Sequence, residues 1–132
     1  MTDEIERRIP APAVNPENAR FFEAARVGKL LVGKCNECGD HHFYPRAICP
    51  HCFSDNTEWM PAKGTGVIYS HSIMRRGVPV PYTIAYVTLD EGVTMMTNLV
   101  GCDDRKIRIG DKVRLVFRQA EDGTPVPMFR PV

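Results

Sequence analysis

The sequence predicts a mainly β chain in which one short N-terminal helix is followed by a small cysteine-rich module and then by a closed barrel of five strands. Three observations support this prediction. Two Cys-x-x-Cys pairs lie ten residues apart, one helical pattern precedes them, and only short strand-like segments follow from Gly64 onward. We therefore divide the chain into an N-terminal arm and helix (1–28), a cysteine module (29–63) and a barrel (64–132).

The balance of charges limits the function classes open to the chain. Its 132 residues include 17 basic and 16 acidic side chains, which leaves a net charge of +1. Broad attachment to nucleic acid or to anionic lipid needs a positive field, which this balance does not supply. The first residues are charged and no apolar run is long enough to cross a bilayer. We expect a cytoplasmic protein without a membrane partner.

The helix is predicted to begin at Asn15, with Pro16 in its first turn, and to end before Gly28. Asparagine favours the N-cap, proline the first helical position and glycine the position after the last turn. Phe21 and Phe22 are adjacent, and two adjacent rings are not expected to face one small core. One of them is therefore predicted to contact a partner, although packing against the cysteine module is the simpler account.

The cysteine module has the ligand spacing of a tetrahedral zinc site. Its four ligands are Cys35, Cys38, Cys49 and Cys52. Four thiolates fill the coordination sphere of Zn²⁺ and leave no position for water or substrate, so the metal would be structural. Gly39 suits the positive φ that follows the first pair, whereas Phe53 stands where a glycine would be expected after the second. The module is therefore predicted to be a rubredoxin-like zinc ribbon.

Two other interpretations of these residues remain open from the sequence. Disulfides would have to pair four cysteines within one short segment and would leave Cys102 over, and a reducing compartment disfavours them. His41, His42 and His51 lie beside the cysteines and would each be able to replace one sulfur ligand. With four sulfurs available, the histidines are better explained as hairpin or surface residues.

The barrel is predicted from short β-branched and aromatic segments. The five strands are Val67–Met74, Tyr82–Leu89, Val93–Leu99, Lys112–Phe117 and Met128–Phe129. The residues that alternate on one face of the first strand are Val67, Tyr69, His71 and Ile73. Five short strands without a second helix indicate a small closed barrel, for which the OB-fold is the commonest solution.

The residues do not provide a convincing catalytic set. Cys102, with His71 as its base, would make a cysteine acyltransferase, but a cysteine after an apolar strand is more often a small buried residue. Arg75 and Arg76, between the first two barrel strands, would be able to hold the phosphates of a cofactor or of nucleic acid. The simpler interpretation is a charged hairpin tip that contributes solubility.

Binding of single-stranded nucleic acid is the alternative function. A zinc ribbon joined to an OB-fold is a natural arrangement for it, and Tyr69, Tyr82 and Tyr86 would provide stacking surfaces. These tyrosines lack a surrounding basic stripe, and aromatic residues make up only 8% of the chain. Nucleic-acid binding is therefore the weaker hypothesis.

The order of the motifs resembles the acyl-CoA-associated family that joins a zinc ribbon to an OB-fold, formerly catalogued as a domain of unknown function. The N-terminal motifs that carry the resemblance are Arg20–Ala25, Gly28–Leu30, Cys35–Gly39, Phe43–Arg46, Cys49–Cys52, Trp59 and Gly64–Ser70. The barrel motifs are Pro81–Tyr82, Leu89–Gly92, Thr97–Cys102, Ile109–Gly110 and Pro127–Pro131. Together they extend over residues 15–131.

The resemblance implies a non-catalytic accessory subunit. Members of the family associate with thiolase-like enzymes, and some with hot-dog-fold hydratases, that act on acyl-CoA thioesters. The catalytic residues would lie in that partner, and this chain would help to assemble the complex and shape access of the CoA substrate. Phe21, Phe22, Arg75 and Arg76 are the residues we expect to contact the partner or CoA.

Overall fold

The computed structural model describes residues 8–44 and 46–132 and has one helix among them. The first seven residues of the predicted arm, and Pro45 of the Phe43–Arg46 motif, lie outside the described residues. The helix and the ribbon strands are α1 (Ala19–Arg26), β1 (Leu31–Cys35), β2 (His41–His42) and β3 (Thr57–Pro61). The later strands are β4 (Thr65–Met74), β5 (Tyr82–Leu89), β6 (Thr94–Leu99), β7 (Lys112–Gln119) and β8 (Pro125–Pro131).

Two separate sheets follow the helix. The ribbon strands form an antiparallel sheet in the order β2-β1-β3, and the last five strands close into a barrel in the order β4-β5-β6-β8-β7. All barrel neighbours are antiparallel except β6 and β8, where Leu99 pairs with Phe129 in parallel. The predicted mainly β fold with a closed five-stranded barrel is confirmed.

The first barrel strand changes phase at a bulge. Val67 and Tyr69 face solvent while Ile68 is buried. The pairing of β4 with β5 shifts between Ile68 and Ser70, and beyond the bulge His71 and Ile73 lie opposite buried residues of β5. The predicted grouping of all four alternate residues on one face is therefore wrong, because the extra residue of the bulge reverses the alternation.

The helix begins at Ala19, later than predicted. The side chain of Asn15 accepts hydrogen bonds from the backbone N–H groups of Glu17 and Asn18, each at 3.0 Å. These bonds form a turn that precedes the helix, and Asn18 takes the N-cap position. The predicted end is correct, since Gly28 has a φ of +79° directly after the last turn.

Both adjacent phenylalanines are buried, with Phe21 2% and Phe22 5% exposed. Their rings meet edge to face with centroids 5.1 Å apart, and Phe21 also lies 5.7 Å from the ring of Phe43. One continuous core joins the two rings to Leu30 of the ribbon side and Phe129 of the barrel. The expectation that one ring faces outward is wrong, because the helix has two apolar surfaces to pack against.

Candidate metal centre

The four predicted zinc ligands converge on one point. Their sulfur atoms all lie within 4.8 Å of one another. The Sγ atoms of Cys35 and Cys52 are 3.5 Å apart, and those of Cys38 and Cys49 are 3.7 Å apart. Four sulfurs around a tetrahedral Zn²⁺ are about 3.8 Å apart, given a Zn–S bond of about 2.3 Å. A disulfide bond needs about 2.05 Å, so these distances fit metal ligands and not covalent pairs.

Two equivalent turns hold the sulfurs in place. In the first, the backbone N–H of Gly39 donates to the carbonyl of Cys35 at 2.9 Å. In the second, the N–H of Phe53 donates to the carbonyl of Cys49 at the same distance. Gly39 has a φ of +77° and Phe53 a φ of +65°, so the phenylalanine adopts the left-handed conformation that the turn requires.

Backbone N–H groups also point at two of the sulfurs. The N–H of Cys38 lies 3.5 Å from the Sγ of Cys35, and the N–H of His51 lies 3.4 Å from the Sγ of Cys49. Such donors stabilise a thiolate and orient it toward a metal.

The surroundings of Cys35 and Cys38 shift the pKa values of these two thiols in opposite directions. The backbone N–H of Cys38 lowers the pKa of Cys35 to about 7. The N–H of Asp40 lowers the pKa of Cys38, but burial and the neighbouring sulfurs outweigh it and raise this pKa to about 12. Four adjacent thiolates repel one another, and a divalent cation removes that penalty. The donor set therefore fits a structural Zn²⁺.

The nearby histidines have other positions. Among the described residues, the four cysteines are the one group of three or more side chains placed to hold a metal ion. His42 is buried over Gly33, and its two ring nitrogens have no hydrogen-bond partner among the described residues. Burial lowers the pKa of His42, and the neighbouring His51 and Arg46 lower it further. His42 is therefore a neutral packing residue of the ribbon.

A cleft of about 870 Å³ opens at one end of the barrel. Ile73, Leu99 and Phe117 contribute to its apolar wall, and Arg75 lies beside it. The Nη2 of Arg75 is 3.2 Å from the Oδ2 of Asp104, so an ion pair links two loops at the cleft. The volume of the cleft lies within the range of small-molecule sites, and its lining is more polar than apolar.

Cys102 also lines this cleft, but His71 does not, so the predicted Cys102–His71 pair does not share it. The sequence did not indicate Arg118, which lines the cleft from β7 and is distant from Arg75 in the chain. The sequence feature that could have pointed to Arg118 is the alternation of basic and apolar residues along β7.

Within residues 8–44 and 46–132, no helix has the length and apolar character needed to cross a membrane.

The geometry defines a protein in which a structural zinc ribbon is joined to a five-stranded OB-fold barrel. The sequence matches two family descriptions, "ChsH2, rubredoxin-like zinc ribbon domain" over residues 22–58 and "ChsH2, C-terminal OB-fold domain" over residues 59–118. The chain belongs to this ChsH2 family.

Several named proteins are similar over most of this chain. A "Probable enoyl-CoA hydratase alpha subunit" from Thermomonospora curvata is 38% identical over 92% of the chain, which spans only 40% of that relative's length. A "DUF35 domain-containing scaffold protein" from Methanothermobacter thermautotrophicus is 37% identical, over 71% of this chain and 78% of the relative. The "Benzoylsuccinyl-CoA thiolase subunit BbsA" from Thauera aromatica is 29% identical, over 80% of this chain and 76% of the relative.

A solved structure is also similar. The structure "Ltp2-ChsH2(DUF35) aldolase" contains a chain with 38% sequence identity and a TM-score of 0.79. The match covers 92% of this chain and 98% of that one. The similarity therefore extends through both the ribbon and the barrel.

Proposed function

We propose that this chain is a non-catalytic accessory subunit of a thiolase-type acyl-CoA complex in the cytoplasm. The complex would cleave β-ketoacyl-CoA or transfer acyl groups, and this chain would aid assembly and access of the CoA substrate. The observation that carries the proposal is the similarity over 80% of the chain to a protein named as a thiolase subunit. Scaffold proteins and a subunit of an enoyl-CoA hydratase are also among its relatives.

The chemistry of the two sites supports a non-catalytic role. The zinc centre has four sulfur ligands, which leave no open position at which a metal would activate water or polarise a thioester. A cysteine nucleophile needs a base within hydrogen-bond reach, and His71 does not share the cleft of Cys102. The reacting groups would therefore come from the partner subunit.

The partner is proposed to be a thiolase-like enzyme, with a hot-dog-fold hydratase as the second possibility. The relatives are named for thiolase, hydratase and aldolase assemblies, and the first two names specify a CoA thioester. What the hydratase and thiolase names share is the substrate class and not the bond that is made or broken. Acyl-CoA is thus the proposed substrate of the complex.

Arg75 and Arg76 are proposed to contact the CoA phosphates or the partner. Both side chains are exposed, and Arg75 lies at the cleft with its guanidinium held by Asp104. Guanidinium groups suit phosphate oxygens, and the loop leaves both residues accessible. Replacing both with alanine should weaken CoA-ester affinity or assembly without unfolding the barrel. Unchanged binding and activity in the reconstituted complex would contradict this assignment.

Affinity purification of the tagged chain from its source cells tests the function directly. We expect a thiolase-like or hydratase-like enzyme to co-purify in near-stoichiometric amount, identified by mass spectrometry. The isolated chain should have no thiolytic activity, and Cys102→Ser should leave the activity of the complex unchanged. Recovery of RNA or ribosomal proteins in place of an enzyme would favour the nucleic-acid alternative. Loss of activity in an intact Cys102→Ser complex would favour the acyltransferase alternative.

A further inference from the structure

The barrel has one wall without charged side chains. Strands β4, β5 and β6 contain no Asp, Glu, Lys or Arg along their whole length. Strand β7, which pairs with the start of β4, carries three basic residues, and its Lys112 and Arg114 are exposed opposite Val67 and Thr65. Soluble barrels usually place charged or polar side chains on their outward positions. The outward positions of β4, β5 and β6 carry polar threonine and serine side chains beside apolar ones but no charge, and we call this outer surface the uncharged face.

Large apolar and aromatic side chains form the centre of this face. Tyr69 is 65% and Met96 62% exposed, and Tyr86 between them is also exposed. Tyr86 lies directly opposite Met96 on β6 and opposite Ser70, the neighbour of Tyr69, on β4. The three side chains therefore form a row across the three strands, with paired residues about 5 Å apart.

The row of Tyr69, Tyr86 and Met96 has the composition of the centre of a protein interface. Such centres are enriched in tyrosine and methionine and depleted of charged residues, and tyrosine is common among the residues that dominate binding energy. Tyrosine and methionine on an exposed strand contribute little to the barrel itself. Another apolar surface that covered these side chains would remove them from water, which is favourable in free energy.

We propose that the uncharged face is the surface on which the acyl-CoA enzyme subunit docks. This inference rests on the proposed function, which supplies the partner but not the surface. The occupant is a larger protein with a matching uncharged patch, because a charged patch set against this face would lose its hydration without gaining a counter-charge.

The area of the face favours a larger partner over a second copy of this chain. Three strands about 4.8 Å apart, each with about six residues at about 3.4 Å, span roughly 300 Å². A standard interface buries about 800 Å² on each side. Two convex barrel walls touch over little more than their centres, whereas a concave partner surface would also cover the rim. A second copy that used this face alone would therefore bury less than a standard interface.

The same face disfavours single-stranded nucleic acid. Its tyrosines would be able to stack on bases, but binding of a phosphate backbone depends on lysine and arginine close to those platforms. The cations nearest to the face are Lys112 and Arg114 of β7, which pair with Val67 and Thr65 at the outer edge of β4. Neither β5 nor β6 carries a cation beside Tyr86 and Met96. The cations therefore border the row of stacking side chains on one side only, which fits a protein partner better than a phosphate backbone.

The test compares the native tagged chain with variants in which the uncharged face gains a positive charge. Met96→Lys and Tyr69→Lys change exposed residues of the face, and Val27→Lys introduces the same charge at an exposed residue after the helix as the matched control. Each chain is purified from source cells, the thiolase-like enzyme is quantified, and zinc content and Tm confirm folding. We expect at least about a ten-fold loss of enzyme from each face variant, as for a central interface residue. The control should change recovery less than about two-fold.

The outcomes distinguish failure of the proposed docking surface from failure of the proposed function. If the native chain recovers the enzyme and both folded face variants recover it equally well, the docking surface is wrong and the proposed function stands. If the native chain recovers no acyl-CoA enzyme, the proposed function itself is wrong. Sedimentation of the isolated chain and titration with oligo(dT) complete the test. A dimer that Met96→Lys dissociates, or oligonucleotide binding that it abolishes, would overturn the inference in favour of a second copy or nucleic acid.

Discussion

The ribbon and the barrel are both small β structures, but they are stabilised in different ways. In the barrel, β5 and β6 each turn a regular series of buried side chains inward, and Phe129 of β8 is fully buried. In the ribbon, β3 has no fully buried residue, and β2 has only two residues. The ribbon replaces apolar packing with four sulfur ligands. Metal coordination thus stabilises a fold too small to bury a core of its own.

The two regions are nevertheless joined. Leu30 and Val32 at the start of the ribbon belong to the same core as Phe21 of the helix and Phe129 of the barrel. The backbone N–H of Ala62 at the ribbon's end donates to the carbonyl of Leu30 at 2.8 Å. One side of the ribbon is therefore anchored by packing and the other by the metal. The comparison predicts that removal of zinc releases only the metal side.

Loss of a zinc ligand should have the largest effect. Cys35→Ser should lose most of the bound zinc, because structural zinc in peptides contributes about 10–16 kcal/mol of apparent binding free energy that depends on all ligands. Hydrogen exchange should then rise at the sulfur-bearing turns and remain slow in β5 and β6. Zinc content by mass spectrometry and peptide-resolved exchange measure both effects.

Cys102→Ser is the matched control, because Cys102 is the remaining cysteine and lies outside the ribbon. It should keep a full equivalent of zinc. Full zinc content in Cys35→Ser would show that the four-thiolate assignment is wrong. Complete loss of protection in the barrel would show that the two regions form one cooperative unit.

Truncation of the barrel core should come next in size. Phe129→Ala should lower the free energy of unfolding by about 3–5 kcal/mol, since the side chain is fully buried and leaves a cavity. Phe53→Ala deletes the same atoms from a ribbon side chain that is 79% exposed, and should change stability by less than about 0.5 kcal/mol. Urea denaturation of the zinc-loaded proteins gives both values. Equal losses would mean that Phe53 makes contacts in solution that the structure does not show.

The two regions also differ in what their sequences predict. The zinc site follows from the spacing of four cysteines, because each pair forms a local turn and the metal fixes how the two turns meet. The barrel strands can be predicted from local composition. The orientation of Tyr69 and His71 depends on a bulge that no residue type in the sequence indicates. The burial of both Phe21 and Phe22 depends on two surfaces brought together from distant parts of the chain. Local chemistry was thus predictable, and orientation set by tertiary packing was not.

Substitution of two buried glycines by alanine should show how easily the ribbon and the barrel accommodate an added Cβ atom. A Cβ at Gly33 of the ribbon would overlap the imidazole ring of His42, and a Cβ at Gly66 of the barrel would overlap the backbone carbonyl of Thr88. Overpacking costs about 1–3 kcal/mol, and a side chain moves more easily than a strand backbone. Gly66→Ala should therefore destabilise more than Gly33→Ala.

The glycine comparison has an internal check. Adding His42→Ala to Gly33→Ala should recover part of the lost stability, because it removes the ring that the new Cβ meets. Denaturation of the single and double variants gives the coupling free energy between the two positions. Purely additive effects, or a larger loss for Gly33→Ala than for Gly66→Ala, would contradict the proposed difference in flexibility.

The smallest expected effect lies within the ribbon, where its two equivalent turns carry different residues. The left-handed conformation costs a non-glycine residue about 1–2 kcal/mol, whereas glycine adds about 0.5–1 kcal/mol of unfolded-chain entropy. Phe53→Gly should therefore stabilise the zinc-loaded ribbon by about 0.5–1 kcal/mol. Gly39→Ala should destabilise it by a similar amount, because a Cβ there meets no atom within 4 Å and the cost is conformational alone. Competition for zinc with a chelator of known affinity measures both, and effects of the same sign would show that the two turns are not equivalent.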